Sequence, residues 1–307
     1  IPFCKSLCYY CGCNKIVTPD KSKAGVYLDY LYREIALHSK LYNGDRLVEQ
    51  VHFGGGTPNF LSVDQLEEVM EVLSQHFHFG LPGNMEVGIE IDPRCVNAED
   101  VTRLASVGFN RISIGVQDFD PAVQQAVNRV QSKQQVLDVM RAARDCSVES
   151  ISVDLIYGLP EQTVASFNRT LDEIIQARPD RIALYHYAHM PQAITAQKMI
   201  DAQALPDAET KLAIFDISLQ RLQEAGYVYI GMDHFALPED GLAKGLQTGD
   251  LHRNFQGYST HADCDIVGFG VSAISSVDDS YSQNQRNLSA YMKDVDEQRL
   301  PIQHGLS

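Results

Sequence analysis

The densest concentration of reactive side chains lies at one end of the chain, where Cys4, Cys8, Cys11 and Cys13 fall within ten residues. Thiolates bind soft metals and clusters, so this density calls for a metal, an iron–sulfur cluster or an unusual reducing pocket. The intervals between the cysteines are three residues, then two, then one. A structural zinc takes four ligands, usually as two CxxC-like pairs far enough apart to pinch a fold, and a pair separated by one residue suits a closed tetrahedron poorly. Three thiolates can hold a cluster with one iron left open. Zinc and free thiols are the alternatives. Cys95, Cys146 and Cys264 are scattered, unlike the pairs of a disulfide framework.

Something must hold that loop against a substrate, and the rest of the chain reads as an α/β scaffold. Apolar, β-branched runs alternate with helix-period stretches, the pattern of a parallel sheet wrapped by helices. Strands are expected over Val48–Phe53, Glu86–Asp92, Arg111–Val116, Ser150–Tyr157 and Arg181–Tyr187. Ser62 with Gln65, and Ser132 with Gln135, form capping boxes ahead of amphipathic runs, while Gly108 and Gly226 sit where a left-handed helix cap favours glycine. An opening helix aligns Leu28, Leu31 and Ile35. With Ile1–Phe3 as the tail of a further strand, the count is six β/α units, as an open sheet or a partial (β/α)6 TIM-like barrel.

Both architectures place their chemistry at the C-terminal strand ends, where Gly54–Pro58, Asp92, Gln117, Asp154 and His189 fall. From Tyr227 the alternation stops. The expected organisation is a barrel over 1–232 with the cluster loop at 4–13, followed by a covering segment over 233–307.

The 307 residues are 44% hydrophobic and 21% charged, enough for one large core or two modest ones. A net charge of -15 argues against a nucleic-acid or anionic-membrane surface. No apolar run of membrane-spanning length and no signal peptide is present, so a cytoplasmic protein is expected, and a monomer, since no heptad or long apolar edge appears. The chain starts Ile1-Pro2-Phe3 without an initiator Met, which suggests further sequence upstream, and its ending at Ser307 suggests more downstream.

The run Cys4-x3-Cys8-x2-Cys11, with Tyr10 before the third cysteine, resembles the signature of radical S-adenosylmethionine enzymes. The resemblance implies that Cys4, Cys8 and Cys11 ligate a [4Fe-4S] cluster whose fourth iron takes the amino and carboxylate groups of S-adenosylmethionine. One electron from the cluster then breaks a C–S bond and releases a 5'-deoxyadenosyl radical. Gly54-Gly55-Gly56-Thr57-Pro58 resembles the glycine-rich motif of the same superfamily, where absent side chains let backbone groups approach a ligand.

Within that superfamily, Glu90-Ile91-Asp92-Pro93-Arg94, Gly115-Val116-Gln117-Asp118-Phe119, Asp154–Pro160, Gly231–Ala236 and His252–Tyr258 are similar to the oxygen-independent coproporphyrinogen III oxidase family. The family carries a second S-adenosylmethionine. Its pattern implies that Gly55, Glu90 and Ile274 contact the cluster-bound molecule, and that Tyr10, Gly56, Thr57, Gln117, Arg129, Asp154 and Ala188 line its neighbour. Glu90 and Asp154 can accept from ribose hydroxyls and Arg129 can pair with a carboxylate; equally, either carboxylate could simply pair with Arg94 or Arg111. A family tyrosine before the first cysteine would lie upstream of Ile1, and only the approach to the family's helical C-terminal domain falls in the chain.

The implied substrate is coproporphyrinogen III, two of whose propionates become vinyl groups, with a flavodoxin or ferredoxin system as electron donor. Lys15, Arg253 and His252 are candidate carboxylate clamps. His186, His189 and His234 read as site lining or as hydrogen-bonded core, and Met190 and Met232 as packing. A competing reading is a haem-transfer relative that keeps the cluster and binds haem without turnover; such relatives usually carry an aromatic residue in place of Cys13 and lack the Cys-x-Cys pair. A zinc-stabilised barrel is the third reading.

Overall fold

The computed structural model describes residues 1–42, 44–80, 85–146 and 148–307. The chain opens with β1 (Phe3–Cys4), β2 (Ile16–Val17), α1 (Ser22–Ser39), β3 (Leu47–Val48), β4 (Gln50–Phe53), α2 (Val63–His76), β5 (His78–Phe79) and β6 (Glu86–Ile91). It continues through α3 (Ala98–Val107), β7 (Arg111–Gln117), α4 (Pro121–Ala126), α5 (Lys133–Asp145), β8 (Ser150–Tyr157), α6 (Val164–Ala177) and β9 (Arg181–His186). Then follow α7 (Ala208–Glu224), β10 (Val228–Gly231), β11 (His234–Ala236), α8 (Gly241–Thr248), β12 (His252–Asn254) and β13 (Gly257–Ser259). The last elements are β14 (Ile274–Val277), β15 (Ser280–Asn284), α9 (Leu288–Asp296) and β16 (Ile302–Leu306).

A seven-stranded sheet in the order β10-β11-β9-β8-β7-β6-β4 forms the frame. Neighbours from β4 to β9 are parallel, and β11 runs antiparallel to both β9 and β10. Helices cross over between the parallel strands, giving the α/β partial barrel that the alternation predicts. Its N-terminal edge differs from the six-strand expectation. β1 pairs with β2 in a separate small sheet. The Ile1 ammonium instead donates to Gly54 O at 2.9 Å and Gly56 N donates to Ile1 O at 2.8 Å, so this segment leans on the turn after β4 rather than joining the ladder. Val48 also leaves the main sheet, because β3 pairs with β5.

Each parallel strand has one dry face. Along β7, Ile112, Ile114 and Val116 are buried beneath helices, while Arg111, Ser113, Gly115 and Gln117 between them are only half-buried. The polar rank lines the inner face of the open barrel, and register sets its neighbours: Glu90 lies opposite Ser113, and Gly115 opposite Asp154, which faces Ala183 and then His234. The helices are stopped and started as their cap residues require. Ser62/Gln65 and Ser132/Gln135 form both bonds of a capping box, as do Asn97/Asp100 and Thr163/Ser166, each cap being worth about 1 kcal/mol. Gly108, at φ 112°, ends α3 in the left-handed conformation.

The later segment packs on α1 through one buried carboxylate. Glu34 accepts from Tyr291 Oη at 2.6 Å, Asn284 Nδ2 at 2.6 Å and Gly270 N at 2.8 Å. Burial pushes Glu34 up to about 7 despite these donors. Met190 and Met232 correct the packing expectation: they are 48% and 59% exposed. Met232 sits at φ 48° in the turn between β10 and β11, and Met190 in the loop after β9, so neither faces the core.

Candidate active site at the strand ends

The cysteine loop is held over the C-terminal ends of the parallel strands by bonds to its backbone, two of them with the segment after α4. Tyr9 N donates to Val127 O at 3.0 Å, Asn128 Nδ2 donates to Leu7 O at 2.8 Å, and Thr18 N donates to Cys4 O at 2.9 Å. Cys4 and Cys8 are buried and Cys11 is partly so. Thr57 Oγ1 lies 3.4 Å from Cys4 Sγ as a donor. Burial raises the Cys4 thiol, while the Thr57 hydroxyl works against the rise. The Cys11 thiol is lowered to about 6, first by a hydrogen bond from Cys13 and further by the Lys15 charge. Lys15 Nζ donates to Cys11 O at 2.7 Å and to Cys13 O at 3.4 Å, so this cation serves the loop.

Two guanidinium groups reach Cys8. Arg129 Nη1 is 3.5 Å from its sulfur and Arg94 Nη2 is 3.6 Å. Both also meet Asp92, at 3.4 Å and 2.6 Å respectively. Burial would push the Asp92 carboxyl up, but these cations outweigh it and hold it below the usual carboxylate range. Arg129 is 7% exposed, donates from Nη2 to Gly115 O at 2.6 Å, and leaves its buried Nε without a partner. A Cβ on residue 115 would come within 2.8 Å of that Nη2, so glycine there makes room for the cation. The backbone of β7 bulges just beyond, and Gln117 takes φ 67°.

On the inner face, Gly55 N donates to Glu90 Oε2 at 3.2 Å, and His52 Nε2 lies 3.4 Å from Glu90 Oε1. A side chain on Gly56 would strike Pro2 backbone at 2.8 Å, so the glycine-rich turn exists to let the start of the chain and the β4 edge approach closely. Asp154 accepts from Ser113 Oγ at 3.4 Å. Burial, followed by repulsion from Glu90, pushes Asp154 up to about 7. Among the described residues, neither Glu90 nor Asp154 pairs with Arg94 or Arg111; Arg94 takes Asp92 and Arg111 takes Glu86.

Tyr10 and Ala188 are joined by Gln197, whose Nε2 donates to Tyr10 O at 3.0 Å and Ala188 O at 3.1 Å. Gln197 is 2% exposed and carries no motif, so sequence reasoning missed it. Gln131, which donates to Val116 O at 2.7 Å, was missed for the same reason. Ile274 stands apart: it opens β14, opposite Gln283, and shares no hydrogen bond with the cysteine loop. Of the expected clamps, Lys15 stays in the cysteine loop, while Arg253 and His252 lie on β12. The Arg253 guanidinium sits 5.8 Å from the Tyr258 ring, which meets His234 at 5.2 Å, and His234 packs edge-on to Tyr185 at 6.0 Å. His252 begins β12, opposite Ser259. His189 Nδ1 is 2.8 Å from Tyr187 Oη, and His186 is exposed beside Tyr157.

Thiols over the ends of a parallel sheet, beside a glycine turn and inner-face carboxylates, define a class. Residues 1–174 match the radical SAM superfamily model. The chain is 48% identical over 306 residues to the oxygen-independent coproporphyrinogen III oxidase of Pseudomonas aeruginosa, covering 100% of this chain and 66% of that protein. It is 45% identical over 307 residues to the enzyme of the same name from Escherichia coli, again spanning 66% of it. The solved structure of coproporphyrinogen III oxidase from Escherichia coli superposes with a TM-score of 0.97 at 45% identity, over 100% of this chain and 70% of that one. The chain therefore belongs to the radical SAM superfamily and, within it, to the oxygen-independent coproporphyrinogen III oxidase family. It spans about two thirds of the length of the curated relatives it matches.

Membership implies a [4Fe-4S] cluster and S-adenosylmethionine. The donor set fits both. Two buried sulfurs have donors beside them, Thr57 at Cys4 and Arg94 and Arg129 at Cys8, which suits sulfur that ligates a cluster. Arg129 also keeps a buried Nε free for an anionic group. Among the described residues no helix is long and apolar enough to cross a membrane.

Proposed function

We propose that this chain carries the radical-generating part of an oxygen-independent coproporphyrinogen III oxidase, which converts two propionates of coproporphyrinogen III to vinyl groups and yields protoporphyrinogen IX in haem biosynthesis. The observation that carries this reading is the seating of Cys4 against Thr57 and of Cys8 against Arg94 and Arg129, in a chain matched end to end by relatives bearing that name. Cys4, Cys8 and Cys11 hold the cluster, and Gly55, Glu90 and Ile274 face the S-adenosylmethionine on it. Tyr10, Gly56, Thr57, Gln117, Arg129, Asp154 and Ala188 hold a second such molecule.

When bound, the cluster and S-adenosylmethionine supply one-electron cleavage of a C–S bond and thereby a hydrogen-abstracting radical. Each propionate then gives up one hydrogen atom to that radical, carbon dioxide to solution and one electron to an external one-electron acceptor. The protein's own work is placement and exclusion of water. Arg129 offers its unpartnered Nε to a carboxylate, and Glu90 offers its carboxylate to hydroxyl or amino donors. Asp154, pushed up to about 7 by burial, can accept or donate. Arg253 stands at the open rim, where it can meet a propionate. A flavodoxin or ferredoxin supplies the electron, and the setting is the cytoplasm.

The test uses the full-length protein, reconstituted anaerobically with iron and sulfide and given reductant, S-adenosylmethionine and coproporphyrinogen III. Two carbon dioxides and two 5'-deoxyadenosines per substrate are expected. Cleavage of S-adenosylmethionine without carbon dioxide, together with tight haem binding, would replace this reading with haem transfer.

A further inference from the structure

The opposite end of the barrel holds a second cluster of ligand-type side chains. Glu49 lies between β3 and β4, at the N-terminal end of the sheet's edge strand, and His261 and Cys264 follow β13. One ligand atom from each of the three lies within 4.8 Å of the others. His261 Nδ1 is 2.9 Å from Glu49 Oε2, and Cys264 Sγ is 3.7 Å from that same oxygen. Bonds of 2.0–2.3 Å in a tetrahedral zinc shell put neighbouring ligand atoms about 3.3–3.6 Å apart, so these separations bracket what a zinc ion needs.

The surroundings agree. The other ring nitrogen of His261 lies 4.0 Å from Glu86 Oε1, so a second carboxylate stands near the imidazole without a hydrogen bond to it. Ser259 Oγ accepts from His261 N at 3.0 Å and fixes the start of the loop. Glu49 has no Lys or Arg partner among the described residues, and Asp263 and Asp265 add to the local negative field. Arg46 and Arg111 are already engaged with Asp265 and Glu86. His-x2-Cys is a compact chelating spacing, and a thiolate with an imidazole and a carboxylate selects a borderline-soft divalent ion.

We infer that Glu49, His261 and Cys264 form a zinc site, with water in the fourth position, which fastens the loop after β13 to the edge of the barrel remote from the cysteine loop. The probe is zinc alone, offered to the full-length, cluster-loaded protein, with bound metal counted after dialysis and the zinc X-ray absorption edge recorded. One equivalent is expected, with one sulfur at about 2.3 Å and the remaining ligands nitrogen or oxygen. His261→Ala and Cys264→Ser should each lower zinc affinity at least tenfold while leaving cluster iron unchanged. Should His261→Ala fail to fold, Cys264→Ser, at an exposed position, decides alone. Zinc retained undiminished in the folded variants, a shell of several sulfurs, or no zinc in the parent protein would overturn the site.

Discussion

Asp92 and Glu34 are both buried carboxylates, 9% and 0% exposed, yet their surroundings treat them in opposite ways. Asp92 lies under the cysteine loop between Arg94 and Arg129 and is held ionised. Glu34, where the later segment meets α1, receives only neutral donors from Tyr291, Asn284 and Gly270, and its carboxyl is pushed up to about 7. A neutral network suffices to dock one segment on another. Buried cations gather where the chain must hold anionic sulfur, because desolvating a guanidinium is costly unless a negative partner meets it.

The contrast can be broken from either side. The largest effect is expected from Cys8→Ala, which removes the sulfur that both guanidinium groups address: cluster iron and S-adenosylmethionine cleavage should fall to background in an anaerobic assay, while urea stability changes little. Arg129→Met leaves Asp92 with Arg94 alone and should destabilise the fold by about 3–5 kcal/mol in urea unfolding, besides weakening S-adenosylmethionine binding by calorimetry. An unchanged midpoint would mean that Arg94 alone satisfies Asp92.

At the other node, Glu34→Ala strands three donors and should cost about 3 kcal/mol without touching cluster content. The milder Glu34→Gln sharpens the comparison through pH. Because the folded carboxyl lies near 7 and the unfolded one near 4.5, the stability Glu34 contributes is present below pH 4.5 and lost as pH rises through 7. The gap between Glu34→Gln and the parent should therefore widen in favour of the variant over that window, by roughly 3 kcal/mol, and a pH-independent gap would contradict it. The smallest change belongs to Lys15→Met, which loses bonds to two loop carbonyls and should cost about 0.5–1 kcal/mol.

How much of this was legible depended on whether the signal was local. Ser150–Tyr157 read correctly from end to end because Ile151, Val153 and Leu155 alternate with Ser150, Ser152 and Asp154 at the strand period of two. Ser62 and Ser132 read correctly because a capping box is completed within four residues. Val48 did not, since its separation from the strand at Gln50 depends on pairing with Phe79 far along the chain. The cysteine loop announced itself by spacing, and Arg129 by resemblance. That Arg129 would reach both Asp92 and Cys8, and that Gln197 would tie Tyr10 to Ala188, follow from register and loop path, which no window of sequence contains.

The bond between Asn128 and Leu7 joins residues 121 positions apart. A chain made from its N-terminus at about 5–20 residues per second exposes its thiols for about 6–24 s before the anchoring segment and Arg129 have been synthesised. During that interval Cys4, Cys8 and Cys11 belong to a nascent polypeptide without their cations. Iron delivered to the finished fold meets a prepared ligand set, whereas oxidants reaching the ribosome-bound chain meet only an unprotected one.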